Sequence, residues 1–323
     1  MTLRSWTQRL LTGLLLCALG LPVWAQTWPT KPVRIVLQFP PGGSTDAVAR
    51  ILAQVLTQSL GQPVLIENRP GADGAIAGEL VARAEPDGHT FFLASNTPMM
   101  QVPLLKKNPP YDPIKSFTPV SLVGRYIYVM VAGAQLPVQQ ASELITLARQ
   151  QPGKLNYGSY SGVTQLMFTR LKQDAKLDIN LIPYKGEAPT VNDILGGHLQ
   201  MTFATPTSVL PHVQAGKLRA MAVLLPTRYS LMPQVPTAAE AGIPPLTAGT
   251  WAALFGPAKL PPEIAQRMSR ELAAAIARPD VRERVDKLGF DLASSTPAEL
   301  AAFMPEQLQA WSKAFADAGM QPE

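Results

Sequence analysis

Hydrophobic positions along the chain follow two alternating periods, one typical of buried strands and one typical of helices. Residues 33–39 form an apolar run between prolines and predict a buried strand. Helical spacing then takes over, and Gly61 is placed to end that helix. The apolar face of this helix has residues at i, i+3, i+4, i+7 and i+8, namely Val48, Ile51, Leu52, Val55 and Leu56.

The same alternation continues through most of the chain. Further strands are predicted at residues 63–67, 90–94, 126–132, 155–158, 180–183, 199–204 and 219–224. Helices are predicted at residues 76–83, 141–151 and 188–195, and from the loop SYSG toward Lys172. Because strands and helices alternate in two successive sets, the sequence predicts two α/β lobes with parallel sheets and helices on both faces.

Near the C-terminus the pattern predicts two or three amphipathic helices. One opens at a pair of prolines, and its apolar face is formed by Ile264, Met268, Leu272 and Ile276. Another starts at the capping box TPAE, and its buried side is supplied by Leu300, Phe303, Met304 and Trp311. We expect these helices to pack onto the first lobe, which leaves a cleft between the lobes as the ligand site.

The first 25 residues have the pattern of a secretory signal peptide. Arg4 and Arg9 precede an apolar run at residues 10–21, and a small-x-small signal ending at Ala25 predicts cleavage before Gln26. The only cysteine, Cys17, lies inside this segment, and Leu16 before it argues against lipoprotein acylation. The mature protein is therefore expected to have no disulfide and to depend on its core for stability.

Charge and hydropathy argue against a nucleic-acid-binding protein and against a mature protein that spans the membrane. The full chain has a net charge of +5, and removal of Arg4 and Arg9 leaves 26 basic against 23 acidic residues, a net charge of +3. No basic block of five or more residues occurs, which argues against a nucleic-acid partner. No later segment approaches 18 uninterrupted apolar residues, so we expect a soluble mature protein.

No residue pattern predicts catalysis, a metal site or a cofactor. The three histidines, His89, His198 and His212, stand apart, and no HExxH spacing or carboxylate pair occurs. The segment GSYSG has Tyr160 where a GxSxG nucleophile elbow requires serine. The segment PGGST lacks the spacing and lysine of a P-loop, and GADGAIAG does not match GxGxxG. We therefore expect no enzyme activity and no bound nucleotide.

Two loops have the right composition to bind an anion. FPPGGSTD at residues 39–46 and SYSGVT at residues 159–164 each follow a strand and open a helix. The first N–H groups of a helix have no internal partner and carry the positive end of its dipole, so they bind carboxylate or phosphate without a cationic side chain. Asp46 suits the helix dipole but would repel a carboxylate unless it binds a ligand donor or a bridging water.

An ordered set of segments resembles a known family. These are FPPGGSTD, GQPVLIENRPGADG, AEPDGHT, YDPIKSFTPVSLV, QPGKLNYGS, PYKGEAPTVNDILGGHLQMTF, HVQAGKLRAMAV and VPTAAEAG. Together they resemble the periplasmic receptors of tripartite tricarboxylate transporters, the TctC-like or Bug receptors, in register from about Trp28 to the C-terminus. The resemblance implies a type II periplasmic-binding-protein (Venus flytrap) fold with two α/β lobes around a central ligand cleft. Lobe 1 would comprise residues 26–124 and 248–323 and lobe 2 residues 125–247, with crossings near Gly124 and Arg125 and again between Thr247 and Gly249.

The resemblance also implies a small carboxylated ligand and a set of binding residues. The ligand would be a di- or tricarboxylate, an acidic amino acid or an aromatic acid, held largely through backbone groups and waters. The residues in lobe 1 would be Phe39, Pro40, Gly42, Gly43, Ser44, Thr45, Asp46, Ser95, Asn96 and Thr97. Those in lobe 2 would be Ser159, Tyr160, Ser161, Gly162, Thr164, Tyr184, Lys185, Gly186, Ala204 and Thr205.

The chain also departs from the family pattern. Tyr160 adds bulk to a loop that is usually rich in Gly and Asn, and Gln165 stands near the usual position of a histidine. Ala204 and Thr205 replace an aspartate that would suit an amino group, which argues against an amino-acid ligand, and Tyr160 could reshape the pocket for a flatter or smaller acid. His89 replaces the tyrosine of PDGYT.

The sequence thus predicts a monomeric periplasmic solute-binding protein that captures an organic acid and delivers it to a tripartite tricarboxylate-type membrane transporter. The alternatives are a sensor that reports ligand occupancy to a membrane signalling protein such as a sensor kinase, and a secreted α/β enzyme.

Overall fold

The computed structural model describes residues 28–225, 227–243 and 250–322, which form two mixed β-sheets flanked by helices. The strands are β1 (Val33–Leu37), β2 (Val64–Asn68), β3 (Thr90–Ser95), β4 (Phe117–Tyr126), β5 (Val129–Gly133), β6 (Asn156–Ser159), β7 (Asn180–Pro183), β8 (Met201–Ala204), β9 (Leu218–Val223), β10 (Trp251–Pro257) and β11 (Phe290–Leu292). The helices are α1 (Ser44–Leu60), α2 (Ala75–Ala82), α3 (Val102–Leu105), α4 (Ala141–Gln150), α5 (Gly162–Asp174), α6 (Glu187–Leu195), α7 (Pro206–Gln214), α8 (Pro262–Ala277), α9 (Pro279–Asp286) and α10 (Pro297–Asp317).

The first sheet has the order β11-β4-β10-β3-β1-β2 and is covered on both faces. In β3, Phe91 and Leu93 point to the core formed with α1, α8 and α9, whereas Phe92 and Ala94 point to the core formed with α2 and α10. Both sets are buried because side chains alternate between the two faces of a strand. This explains why β3, which is buried on both faces, has apolar residues at successive positions.

The second sheet has the order β7-β6-β8-β5-β9. Strands β7, β6 and β8 are parallel, so their carboxyl ends lie at one edge of the sheet. The loops that leave these three strands open α5, α6 and α7, with the order strand, loop, helix. This arrangement gathers the N-termini of three helices along one edge of the second lobe.

The chain passes between the sheets at two adjacent segments. It leaves the first sheet after Tyr126 and enters the second at Val129. The return segment ends at Thr250, whose backbone carbonyl accepts from the Tyr126 N–H and whose hydroxyl donates 2.8 Å to the Tyr126 carbonyl. Gly124 and Arg125, where the first crossing is expected, are still paired with β10. The second expected crossing, between Thr247 and Gly249, lies outside the described residues.

The expectation of wholly parallel sheets is wrong. In the first sheet β10 runs antiparallel to β3 and β4, and in the second β5 runs antiparallel to β8 and β9. Strands β4, β10 and β11 were not predicted from the sequence. Residues 126–132 were predicted as one strand, but Tyr126 ends β4 and Val129 begins β5. Strand β4 gives a weak signal because Pro119, Ser121 and Gly124 interrupt its apolar pattern.

The C-terminal helices pack mainly on the first lobe, as predicted. Helices α8 and α9 contact α1, and α10 contacts β4. The predicted capping box is present at the start of α10, where the Thr296 N–H donates to the Glu299 carboxylate at 2.8 Å. The far end of α10 reaches the second lobe, because the Gln173 side chain donates to the Asp317 carbonyl at 3.1 Å. Helix α10 therefore contacts both lobes.

None of the helices in the described ranges is long and apolar enough to cross a membrane. The predicted signal peptide at residues 1–25, with Cys17, lies outside those ranges.

Candidate functional site

The first-lobe loop, residues 39–46, joins β1 to α1 and leaves the N-terminus of that helix open. Gly42 has a positive φ of 89°, which favours glycine, whereas Gly43 has φ −78° and is the N-cap of α1. A Cβ atom at Gly43 would meet no other atom within 4 Å. The backbone N–H groups of Ser44 and Thr45 donate to no other group of the described chain. They are available to a ligand.

Asp46 is bound within its own lobe. Its carboxylate accepts from the Gly42 N–H at 3.0 Å, from the Arg50 guanidinium at 2.9 Å and from the Asn68 amide at 3.0 Å. Burial acts to raise the pKa of Asp46, but these hydrogen bonds outweigh it, and the pKa lies below its ordinary value. Asp46 therefore stays ionised and holds the shape of the loop.

The loop after β3 adds amide groups beside the first-lobe loop. The Gln38 side chain donates to the Ser95 hydroxyl at 2.5 Å, and the Asn96 side-chain oxygen accepts from the Trp251 N–H at 3.4 Å. Asn96 is 1% exposed, and its side-chain nitrogen has no partner in the described chain. Thr97 starts the helical turn Thr97–Gln101, which continues from this loop toward the second lobe.

The second-lobe loop, residues 159–164, is held in shape by its own hydroxyl groups. The Thr164 hydroxyl accepts from the backbone N–H groups of Tyr160 at 3.2 Å and Ser161 at 3.1 Å, and it lies 3.1 Å from the Ser159 hydroxyl. Ser161 is the N-cap of α5 and accepts from the Thr164 N–H. The N–H groups of Gly162 and Val163 have no partner among the residues described. The second lobe thus also has a helix that begins with backbone N–H groups without a partner in the described chain, although Gly162 and Val163 are themselves buried.

The two lobes meet at the N-terminus of α5. A Cβ atom added to Gly162 would overlap the side chain of Gln101, which belongs to the first lobe. The absence of a side chain at Gly162 lets the turn Thr97–Gln101 lie against the second-lobe loop. The turn that follows β3 therefore contacts the second-lobe loop directly.

Three tyrosines line the path between the two helix N-termini. Tyr126 accepts a hydrogen bond from the Thr45 hydroxyl at 3.0 Å, and its ring meets Phe39 edge-on at 6.5 Å. Tyr128, just beyond, lies near Tyr126 and Tyr160, and burial raises the pKa of all three hydroxyls. The Tyr160 hydroxyl lies beside Tyr128 and Glu187, and it is buried without a hydrogen-bond partner in the described chain.

The predicted YKG turn has a different arrangement from the other loops. The Tyr184 hydroxyl donates to Asp193 at 2.5 Å, Lys185 is exposed, and the Gly186 carbonyl accepts from Thr190 at 2.8 Å. Next to this turn, the Glu187 carboxylate accepts from the Thr205 N–H and from the Thr205 hydroxyl at 3.0 Å. The turn therefore positions Glu187 rather than directing the Tyr184 hydroxyl to a ligand.

At β8, Ala204 is fully buried in the core of the second lobe, whereas Thr205 is the partner of Glu187. A carboxylate thus lies against the position at which the family pattern led us to expect an aspartate, and it comes from α6.

A cavity of about 930 Å³ lies at the crossing segments. Its walls include Tyr126, Tyr128, Arg228 and Trp251, and none of the binding residues predicted from the sequence lines it. The described residues contain no cluster of His, Asp or Glu that could hold a metal ion.

Comparison with known proteins identifies the family. Residues 48–320 match the model of the tripartite tricarboxylate transporter family receptor, TctC. The chain belongs to this family.

Relatives of this TctC receptor support the assignment in sequence and in structure. BugT of Bordetella pertussis is 35% identical over 315 residues, which cover 95% of this chain and 96% of BugT. A protein of R. palustris solved with adipate matches at 30% identity with a TM-score of 0.85, covering 92% of this chain and 100% of that one. MatC from Rhodopseudomonas palustris, solved with bound malate, matches at 31% identity with a TM-score of 0.78, covering 89% of this chain and 99% of MatC.

These matches confirm the resemblance and the two-lobed α/β fold that it implied. Because the matching family is one of receptors, the relatives give no support to the alternative of a secreted enzyme.

Sequence reasoning missed several groups around the cleft of this TctC receptor. Gln101, Tyr126, Tyr128 and Glu187 were not among the predicted residues, although each lies beside one of them. Glu187 had a signal, since it is an acid that directly follows the YKG turn. Tyr126 and Tyr128 had none, because only the crossing of the chain brings them between the lobes.

Proposed function

We propose that this receptor binds a small organic acid in its cleft, with a carboxylate held by the N-termini of α1 and α5, and delivers it to a tripartite tricarboxylate-type transporter. The observation that carries this proposal is that α1 and α5, one in each lobe, both begin with backbone N–H groups that have no partner among the described residues. Such groups, aligned with the helix dipole, favour a carboxylate without a cationic side chain. The relatives solved with adipate and malate support a carboxylate ligand.

The proposed lobes are residues 26–124 with 248–323, and residues 125–247. Ligand binding is tested by thermal unfolding of the purified mature protein with a panel of organic acids. A ligand at 100 times its Kd stabilises the folded state by about 2.7 kcal/mol, which raises the Tm by several degrees. If no carboxylate at millimolar concentration raises the Tm, the proposal is wrong.

Gly43→Val tests the N-terminus of α1 as an anchor. A valine side chain fits the backbone angles of Gly43 and meets no neighbour, so the lobe should fold, but the side chain blocks the approach to the N–H groups. We expect binding in calorimetry to weaken by at least about 100-fold, the effect of losing roughly two charge-assisted hydrogen bonds. Wild-type affinity in this variant would rule out α1 as the anchor.

Lys185→Ala tests whether a cationic side chain, rather than backbone N–H groups, holds the ligand. Lys185 is exposed, and its ammonium group contacts no carboxylate of the described chain. We expect its replacement to change affinity by less than about threefold, as for an exposed charge. A larger loss would mean that an ion pair, rather than backbone N–H groups, holds the ligand.

The location and the partner belong to the same proposal. The protein is exported to the periplasm, residues 1–25 are removed, and the receptor acts there as a monomer. Intact-mass measurement of the periplasmic fraction should give a chain that begins at Gln26. Deletion of the gene should abolish uptake of the identified acid, and Gly43→Val should not restore it. Normal uptake together with loss of an acid-induced transcriptional response would favour the sensor instead.

A further inference from the structure

Glu187 places a carboxylate beside Tyr160, in the loop that opens α5. It is the first residue of α6, and its oxygens accept from the Thr205 N–H and, at 3.0 and 3.2 Å, from the Thr205 hydroxyl. The Thr205 hydroxyl has one proton and serves one oxygen at a time, whereas a carboxylate has about four acceptor positions. The side chain is only partly buried. The hydroxyls of Ser208 and Tyr160 also lie near the carboxylate, and within the described residues Thr205 is the residue that hydrogen-bonds it in good geometry.

Glu187 has no cationic partner in the part of the chain that the structure describes. Within the described ranges, no lysine, arginine or histidine forms an ion pair with it, and its chain neighbour Lys185 is exposed. The titratable groups that face it are the hydroxyls of Tyr128 and Tyr160, and burial raises the pKa of both, so they remain neutral. Burial raises the pKa of Glu187 above its ordinary value, and a ligand donor that hydrogen-bonds the carboxylate would favour its ionised form.

Glu187 lies close to the proposed anchor at the N-terminus of α5. The Tyr160 hydroxyl, which lies beside Glu187, belongs to the loop that opens α5. A ligand carboxylate at the N-terminus of α5 would place the rest of the ligand near Glu187. A second carboxylate there would be repelled in a site of low dielectric, whereas a donor would gain a charge-assisted hydrogen bond.

We propose that Glu187 determines the ligand class, selecting acids that carry one carboxylate and a hydrogen-bond donor, an ammonium or hydroxyl group, over acids with two carboxylates. This rests on the proposed function, because it assumes that the cleft binds an organic acid. It differs from that function in assigning Glu187 a role in choosing among acids.

Calorimetry with matched acids tests the proposal. Series of three to eight carbons are compared, each with a terminal methyl, hydroxyl, ammonium or second carboxylate group, so that hexanoate, 6-hydroxyhexanoate, 6-aminohexanoate and adipate form one set. The wild type should bind the best donor-terminated acid at least about tenfold more tightly than the dicarboxylate of equal length. In Glu187→Gln the ratio of the two affinities should fall by about tenfold or more, so that the preference disappears or reverses. This is the change expected when one charge–charge or charge-assisted contact is lost. The ammonium acid should lose more affinity than the hydroxyl acid if the natural donor is cationic.

Two controls separate this proposal from simpler explanations. The side-chain amide that Glu187→Gln introduces can still accept from Thr205, so the Tm of this variant should remain close to that of the wild type. Glu143→Gln makes the same change in the first turn of α4. Because β5 runs antiparallel to β8, α4 begins at the opposite edge of the sheet from α5, and this variant should leave all affinities unchanged. If acids bind but Glu187→Gln leaves the ratio unchanged, Glu187 only braces Thr205 and this inference is wrong, while the proposed function stands. If neither protein binds any acid, both are wrong.

Discussion

Asp46 shows at the residue scale how an acidic side chain supports an anion site without opposing it. Its carboxylate accepts three hydrogen bonds from its own lobe, from Gly42, Arg50 and Asn68. Its charge is thereby partly neutralised, and the loop that exposes the N–H groups of Ser44 and Thr45 is braced. The sequence left open whether Asp46 would contact a ligand or repel it, and the structure gives it a supporting role.

Asp46→Ala should lower both stability and affinity. Removal of the carboxylate leaves the Gly42 N–H and the Asn68 amide without this partner, at a cost of about 1–3 kcal/mol in the free energy of unfolding. Chemical denaturation measures this cost, and Asp178→Ala is a suitable control because the Asp178 side chain is exposed and makes no hydrogen bond in the described chain. Equal stability of the two variants would contradict the conclusion that Asp46 stabilises the first-lobe loop.

The lowered pKa of Asp46 also predicts a pH dependence. A carboxyl group with a depressed folded-state pKa stabilises the protein above its unfolded value of about 3.9, and this contribution is lost as the pH falls through the folded-state pKa. The wild type should therefore lose more stability than Asp46→Asn as the pH falls below about 4. Parallel acid unfolding curves for the two proteins would contradict this.

At the scale of single elements, helix α5 depends on one hydroxyl group. Thr164 accepts from the backbone N–H groups of Tyr160 and Ser161, which otherwise have no partner in the described structure, and it is fully buried. The hydroxyl fixes the loop so that only the N–H groups of Gly162 and Val163 remain for a ligand. Thr164 is thus part of the support for the site rather than of its surface.

Thr164→Val should destabilise the protein by about 1–3 kcal/mol, because buried N–H groups lose their partner while the side-chain volume is nearly kept. Affinity should fall as well, since the loop is no longer held. Thr169→Val on the same helix is the control, because the Thr169 hydroxyl only bonds the carbonyl one turn earlier. The prediction fails if both variants unfold at the same denaturant concentration.

At the scale of the whole molecule, the two lobes are joined by the crossing segments, by α10 and by the contact of Gln101 with Gly162. The last of these lies at the proposed anion site. This contact therefore requires a residue without a side chain at the start of α5.

Gly162→Leu should hinder the approach of the lobes and weaken ligand binding by about tenfold or more, while each lobe still folds. The double variant with Gln101→Ala removes the obstructing side chain and should regain most of the lost affinity, which a double-mutant cycle in calorimetry measures. Additive losses in the two variants would show that the contact does not control closure.

Much of the secondary structure could be predicted from the sequence. The amphipathic pattern from Val48 to Leu56 and the terminator Gly61 locate α1, and the capping box at Thr296 locates the start of α10. These signals are local, since they depend on the helical period and on side chains within one turn of the helix end. The open helix N-termini after β1 and β6 could be predicted for the same reason.

The antiparallel strands and the tyrosines of the cleft could not be predicted in this way. Strand β10 pairs with β3 and β4 across more than a hundred residues of sequence, and no local pattern records that pairing. Glu187 illustrates the same limit at the site, because its partner Thr205 is the N-cap of a different helix, α7. The sequence by itself determined where helices begin and which backbone N–H groups they expose, since those properties arise within a few residues. Only the tertiary structure decided that Gln101 meets the start of α5, that Tyr126 meets Thr45 and that Tyr160 lies beside Tyr128 and Glu187, since contacts between distant segments depend on how the whole chain packs.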